Sequence, residues 1–239
     1  MLIPARFRVI CFLIATSTMI CSCTPSVLPS EELKKIGQCP KIHAVHNPPR
    51  LAFTFFPEEG FKGEAIGKYF GPVGLFTGAW SDIRSAQALG DKLIQGFGLQ
   101  DPVLRVKSRS IDLLARENFR NIQPYDSQLP EDDLGNLKQK LDSDMMMDFK
   151  TITWVLASNP KDPKRYLDSF RARSRLIRVE DGKVLWEGEC GFKKHDPKSA
   201  PTIDEMMANQ GALLKTLFQE DADACAGEIV GQFLGRASR

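Results

Sequence analysis

Between Tyr166 and Val179 the chain alternates residue by residue. Phe170, Ala172, Ser174 and Leu176 share one parity, and Arg171, Arg173 and Arg175 share the other. A period of two is what a strand with one apolar and one polar face requires. Asp181-Gly182 interrupts the pattern, and Lys183 to Phe192 returns as KVLWEGECGF. A two-residue turn at Asp181-Gly182 would place the arginines on the side of Trp186 and Cys190. A three-residue loop, Glu180-Asp181-Gly182 with Gly182 left-handed, opposes Val179 to Lys183 instead. Arg175 then faces Glu187, Arg173 faces Glu189, Leu176 meets Trp186 and Ala172 meets Cys190. Only this register is consistent on both faces, so it is the one expected. The arginine face reads as solvated and salt-laced rather than as an anion site, each exposed pair contributing about 0–1 kcal/mol.

The remaining elements gather around this hairpin. Met147 to Leu156 (MDFKTITWVL) is rich in β-branched and aromatic residues and is expected to precede it as a third antiparallel strand. Leu51 to Phe56, apolar at both parities and closed by Pro57, predicts a central strand, and Arg120 to Tyr125 a short one. Helical spacing of apolar residues predicts helices over 82–97, 102–119 and 203–234. The second has an Asp101-Pro102 start, and the third has Thr202 and Glu205 in capping-box spacing. Pro130 to Leu141 reads as a polar amphipathic helix. The fold class expected is α/β (α+β): a mixed sheet with an antiparallel three-strand meander, covered by helices that include a long C-terminal one.

The first 23 residues belong to a different argument. Arg6 and Arg8 open a short positive stretch, Val9 to Ile20 is almost wholly apolar, and Ile20-Cys21-Ser22-Cys23 follows. The apolar run is about a dozen residues, whereas crossing a bilayer takes about 20. An aliphatic residue at −3, a small one at −1 and cysteine at +1 form a lipobox, so cleavage before Cys23 and lipidation of Cys23 are expected. Cys21 is the poorer candidate because Ile20 would occupy its −1 position. Thr24, rather than Asp, at +2 resembles an outer-membrane address. The organisation expected is a signal peptide over 1–22, lipidated Cys23 and a proline-rich tether over 23–49, and one periplasmic α/β domain over 50–239. As a coil, a tether of about 25 residues would separate its ends by roughly 25–30 Å. Removing Arg6 and Arg8 brings the formal charge from +2 to neutral. A neutral domain has no electrostatic footprint for nucleic acid.

Cleavage leaves Cys39, Cys190 and Cys225 free to pair in an oxidising compartment. In the register above, Cys190 lies on the apolar face with Trp186, and Cys225 on the apolar stripe of the terminal helix between Phe218 and Ile229. A Cys190–Cys225 disulfide is therefore expected, with Cys39 left over. Cys39, His43 and His46 form a Cys-x3-His-x2-His run whose thiolate and imidazoles suit zinc or copper, but the run lacks a fourth ligand and supporting partners. They are weak metal candidates, and no cofactor is expected. The glycines between Gly60 and Gly78 match neither a dinucleotide fingerprint nor a Walker loop. That stretch reads as a surface loop or small hairpin, and as a candidate partner-contact surface. His195-Asp196 comes with no nucleophile motif, and the carboxylate pairs Asp132-Asp133 and Glu58-Glu59 read as solvated charge, so no catalytic residue is assigned and an enzyme is not expected.

The run Val179-Glu180-Asp181-Gly182-Lys183-Val184-Leu185-Trp186-Glu187-Gly188, with the helix around Asp223-Ala224-Cys225, resembles a group of uncharacterised proteobacterial envelope lipoproteins over about residues 50–235. The D-G-K-V-L-W hairpin also resembles one found in activators of penicillin-binding proteins and in curli-secretion lipoproteins. The resemblance implies an α/β envelope module without enzymatic activity and transfers no functional residues. The function expected is a lipid-anchored binding or assembly module, attached to the outer membrane through its N-terminal lipid and facing the periplasm. Its partner would be another envelope protein or a glycan. A metal-handling lipoprotein using Cys39, His43 and His46 is the alternative, and a hydrolase a more distant one.

Overall fold

The computed structural model describes residues 28–39, 41–47, 53–57, 83–129, 134, 137–192 and 199–236. In chain order the elements are α1 (Ser30–Gln38), β1 (Ile42–Asn47), β2 (Thr54–Phe56), α2 (Ile83–Phe97), α3 (Pro102–Arg116), β3 (Ile122–Gln128), α4 (Leu137–Lys140), β4 (Met145–Asn159), β5 (Asp162–Arg178), β6 (Val184–Phe192) and α5 (Ile203–Phe233). The glycine stretch from Gly60 to Gly78, Glu58-Glu59, Asp132-Asp133 and His195-Asp196 lie outside the described residues.

The fold is a mixed six-stranded α/β sheet, not closed, in the order β3-β1-β4-β5-β6. β4, β5 and β6 form the antiparallel meander, while β1 runs parallel to both β3 and β4. β2 also pairs with β4 in parallel, at Thr54–Phe56 against Val155–Ala157, beyond the end of β1. It is therefore a three-residue strand with one neighbour among the described strands, and not the central strand expected.

The β5–β6 register is the one the alternation requires: Arg175 opposite Glu187, Arg173 opposite Glu189, Leu176 opposite Trp186 and Ala172 opposite Cys190. The turn reaches it differently. The Arg178 N–H donates to the Lys183 carbonyl, closing a four-residue loop, and an extra residue at Leu185 then restores the frame. Gly182 is left-handed at φ 68°, and Asp181 staples the loop by accepting from the Lys183 N–H and the Arg178 guanidinium. Such a bulge absorbs one residue without flipping either face of the strand.

One face of the sheet carries the main core. Phe149, Trp154, Phe170 and Trp186 are buried there beneath α3 and α5. Trp154 meets Phe53 at 4.8 Å and Phe218 at 5.3 Å between ring centroids, and Trp186 meets Phe233 edge-on at 5.2 Å. Aromatic pairs in these tilted and T-shaped geometries contribute about 0.5–1.5 kcal/mol beyond their buried area. α2 lies against the β2 region so closely that a side chain at Gly90 would overlap the Phe53 carbonyl. The opposite face has a smaller cluster of Val45, Leu129, Leu137, Leu141, Met146, Ile177 and Val179.

The helices match the predicted ones in place but not in detail. α2 ends at Gly98, which is left-handed, and Asp101 caps α3 by accepting from the Val103 N–H. α3 stops at Arg116 rather than 119, because Asn118 turns left-handed and returns Phe119 to the core. α5 begins with the Thr202–Glu205 capping box but is not one continuous rod. From Ala208 to Gly211 its backbone leaves the helical region, and there Gly211 faces the Phe97 ring. At the Pro130 to Leu141 prediction, Leu137–Lys140 is helical and 130–133 lie outside the described residues.

The largest correction concerns the proposed tether. Residues 28–47 belong to the folded domain: Leu28 and Ile36 are core residues, and β1 lies between β3 and β4 in the sheet. The prolines that suggested an unstructured linker flank these short elements rather than interrupt them.

Candidate functional site: the amino-terminal end of the domain

The predicted metal candidates lie here. His43 and His46 are three positions apart on β1, and a strand sends odd and even positions to opposite faces. His43 joins the smaller cluster, 5.1 Å from the Tyr125 ring. His46 takes the other face, where Lys107 of α3 and Asp126 act on it. Cys39 sits at the end of α1 with its Sγ 4.0 Å from Met145 Sδ. The three therefore point to three different places, and the set cannot close on one ion. Among the described residues no group of three or more His, Cys, Asp or Glu side chains is placed to hold a metal.

The surroundings favour the neutral form of each group. Burial, and then Lys41, hold the His43 imidazole below its ordinary range against the opposing pull of Asp142. Burial, and then Lys107, do the same for His46 against Asp126. Burial pushes the Cys39 thiol up, helped by Asp144, which is the reverse of what a reactive thiolate needs. The thiol opens on a shallow cleft lined by Lys35, Lys138, Asp144, Arg178 and Glu180. Asn121 fixes the junction of α1 and β1 by donating to the carbonyls of Ile36 and Cys39 at 2.9 and 2.7 Å.

Cys190 and Cys225 are joined as a disulfide between β6 and α5, with their Cα atoms 5.2 Å apart. Beside it, Gln232 of α5 donates to the Glu189 carbonyl at 2.7 Å, on the β6 edge that no described strand covers. Cross-link and side-chain amide together fasten the terminal helix to the last strand. Free Cys39 completes the cysteines of the described residues.

Two further arrangements were not foreseen. The arginine face is not uniformly solvated: Arg171 pairs with Glu189 at the surface, but Arg175 is buried on Asp148 of β4. The β5–β6 alternation shows the arginines only their partners on β6, and the acid on the other side of β5 lies outside it. Asp148 lies opposite Arg175 on the same sheet face, and a buried charge must be paired. The second is a cleft of about 360 Å³ between the start of α3 and α5, lined by Asp101, Arg105, Ser108, Lys215, Phe218 and Gln219. Asp101 accepts from the Thr151 hydroxyl at 2.5 Å, and burial nevertheless pushes its carboxyl up. Arg105 spans the cleft wall in a two-pronged pair with Asp223 at 2.8 and 2.7 Å.

No protein-family model matches the chain, and no curated protein matches it. Solved structures do show similarity. PelC from Paraburkholderia phytofirmans, a dodecamer, is 10% identical with a TM-score of 0.36, over 84% of this chain and 91% of that one. Lipoprotein GNA1162 from Neisseria meningitidis is 12% identical with a TM-score of 0.26, over 77% and 99%. Protein XCC0632 from Xanthomonas campestris is 11% identical with a TM-score of 0.34, over 81% and 86%. Similarity at this level says nothing about function.

Proposed function

We propose that this chain is a bacterial envelope lipoprotein, held to the outer membrane by a lipid on Cys23, whose domain serves as a non-enzymatic binding or assembly module for another envelope protein or a glycan. The lipobox Ile20-Cys21-Ser22-Cys23 carries the reading. The Cys190–Cys225 pair supports it independently, since a structural disulfide belongs to an oxidising compartment such as the periplasm. No helix of the described residues is long and apolar enough to cross a membrane.

The decisive variant is Cys23→Ser. Wild-type protein should take up an alkyne-palmitate label and fractionate with the outer membrane. The variant should lose the label and appear in the soluble fraction or as an uncleaved precursor. A mature-sized, membrane-bound Cys23→Ser protein would overturn the reading. Crosslinking of the lipidated protein in its own membranes then identifies the partner.

A further inference from the structure

The cysteine that would carry the lipid and the first buried residue among the described ones are five positions apart. Leu28 is 4% exposed and belongs to the main core with Ile36, so the chain is already fixed to the domain there. We propose that the α1 end of the domain is a bilayer-contact surface that rests on the phospholipid headgroups of the leaflet holding Cys23. This inference depends on the lipoprotein reading above and adds the orientation of the domain to it.

Five residues fully extended span at most about 18 Å, and an acylated cysteine holds its own backbone at the membrane interface. From Leu28 the chain passes through α1, which rises only about 13 Å, to Cys39 in contact with Met145 at the start of β4. β4 then runs 15 residues to Asn159, a length of about 45–50 Å. The leash is less than half the length of the body it holds, and it is attached near one end of that body. The end carrying α1 stays within about 18 Å of the acylated cysteine's backbone and so within reach of the headgroups, while the Pro160-Lys161 turn sweeps an arc far wider than the leash and lies on average well away from the leaflet.

The surface of α1 decides the kind of contact. Its apolar side chains Leu33 and Ile36 pack on the core, which leaves Glu31, Glu32, Lys34 and Lys35 exposed. With no apolar face to spare, α1 does not insert as an interfacial helix. Acidic and basic groups balance, so there is no strong pull toward anionic lipid either. The contact is with headgroups, and the short leash is what holds α1 within reach of them.

The test uses the lipidated full chain in a Cys39→Ser background, with a fluorophore on Lys34→Cys or on Lys161→Cys. Each protein is reconstituted into phosphatidylethanolamine/phosphatidylglycerol vesicles containing a headgroup nitroxide quencher, and vesicle flotation is read on the same samples. The proteins should float, and position 34 should be quenched several-fold more than position 161. Inserting about 20 Gly/Ser residues between Val27 and Leu28 makes a leash of about 25 residues with a mean end-to-end distance of roughly 25–30 Å, and should abolish the excess quenching at 34 without affecting flotation. Floating proteins with equal quenching at both positions, stronger quenching at 161, or no response to the insertion would overturn the orientation alone. Proteins that carry no lipid and fail to float overturn the lipoprotein reading, and this inference with it.

Discussion

Arg175 of β5 is buried against Asp148 of β4 and engages both oxygens of its carboxylate. The guanidinium Nε donates at 3.2 and 3.0 Å, Nη2 donates as well, and the Arg175 backbone N–H adds a further bond at 3.0 Å. Asn47 of β1 donates to the same carboxylate at 2.9 Å. One acid thus ties the parallel part of the sheet to the antiparallel meander. Removing one partner of such a pair leaves a charge in the interior with nothing to balance it. Arg175→Ala should therefore lower the unfolding free energy by about 3–5 kcal/mol, whereas Arg175→Met combined with Asp148→Leu should recover most of the loss. Urea unfolding of the three proteins checks this, and an unaltered midpoint for Arg175→Ala contradicts it.

The disulfide closes a loop of 35 residues between β6 and α5. In the chain-entropy account a loop of that length stabilises by about 3–4 kcal/mol. The Cys190→Ala, Cys225→Ala double variant should lose stability on that scale. Non-reducing peptide mapping of the exported protein should recover the two cysteines in one linked peptide pair, and a linked peptide containing Cys39 would contradict the pairing.

Acid sensitivity follows from β1. His43 and His46 are both held below the ordinary value of 6.5, so the unfolded chain takes up protons before the folded one. Stability then rises with pH across that window. It is fully present above about 6.5 and falls as the pH drops below it. Asp101, pushed up by burial, titrates in the opposite sense. The His43→Gln, His46→Gln double variant isolates the imidazoles. Thermal midpoints of the wild type should fall between pH 7 and pH 5.5 more steeply than those of the variant. Parallel profiles would contradict the assignment.

Much of the meander was legible because its information is local. The alternation of β5 and β6, the glycine in their turn and the Arg/Glu complementarity lie within one stretch of chain, and together they fix the register. The capping box of α5 and the Asp101-Pro102 start of α3 are local in the same way. What escaped depends on distant partners. β1 reads as IHAVHN, a segment with two histidines among prolines, and becomes a strand through its parallel pairing with β3 and β4 far along the chain. Arg175 looked solvated because its position relative to Asp148 depends on the β4–β5 register. The departure from helical geometry at Ala208 to Gly211 brings Gly211 up to the Phe97 ring, another contact that no periodicity announces. The histidines misled in the opposite direction. Sequence proximity suggested a shared ligand set, but a strand places positions three apart on opposite faces.

The account stands on Cys23 as the first residue of the mature protein. Mass analysis of the N-terminal peptide from membrane-extracted protein tests that most directly. The expected peptide begins at Cys23, carries acyl and diacylglyceryl mass, and continues into Thr24. A peptide that runs unmodified through Ser22-Cys23, or a mature N-terminus elsewhere, would contradict it.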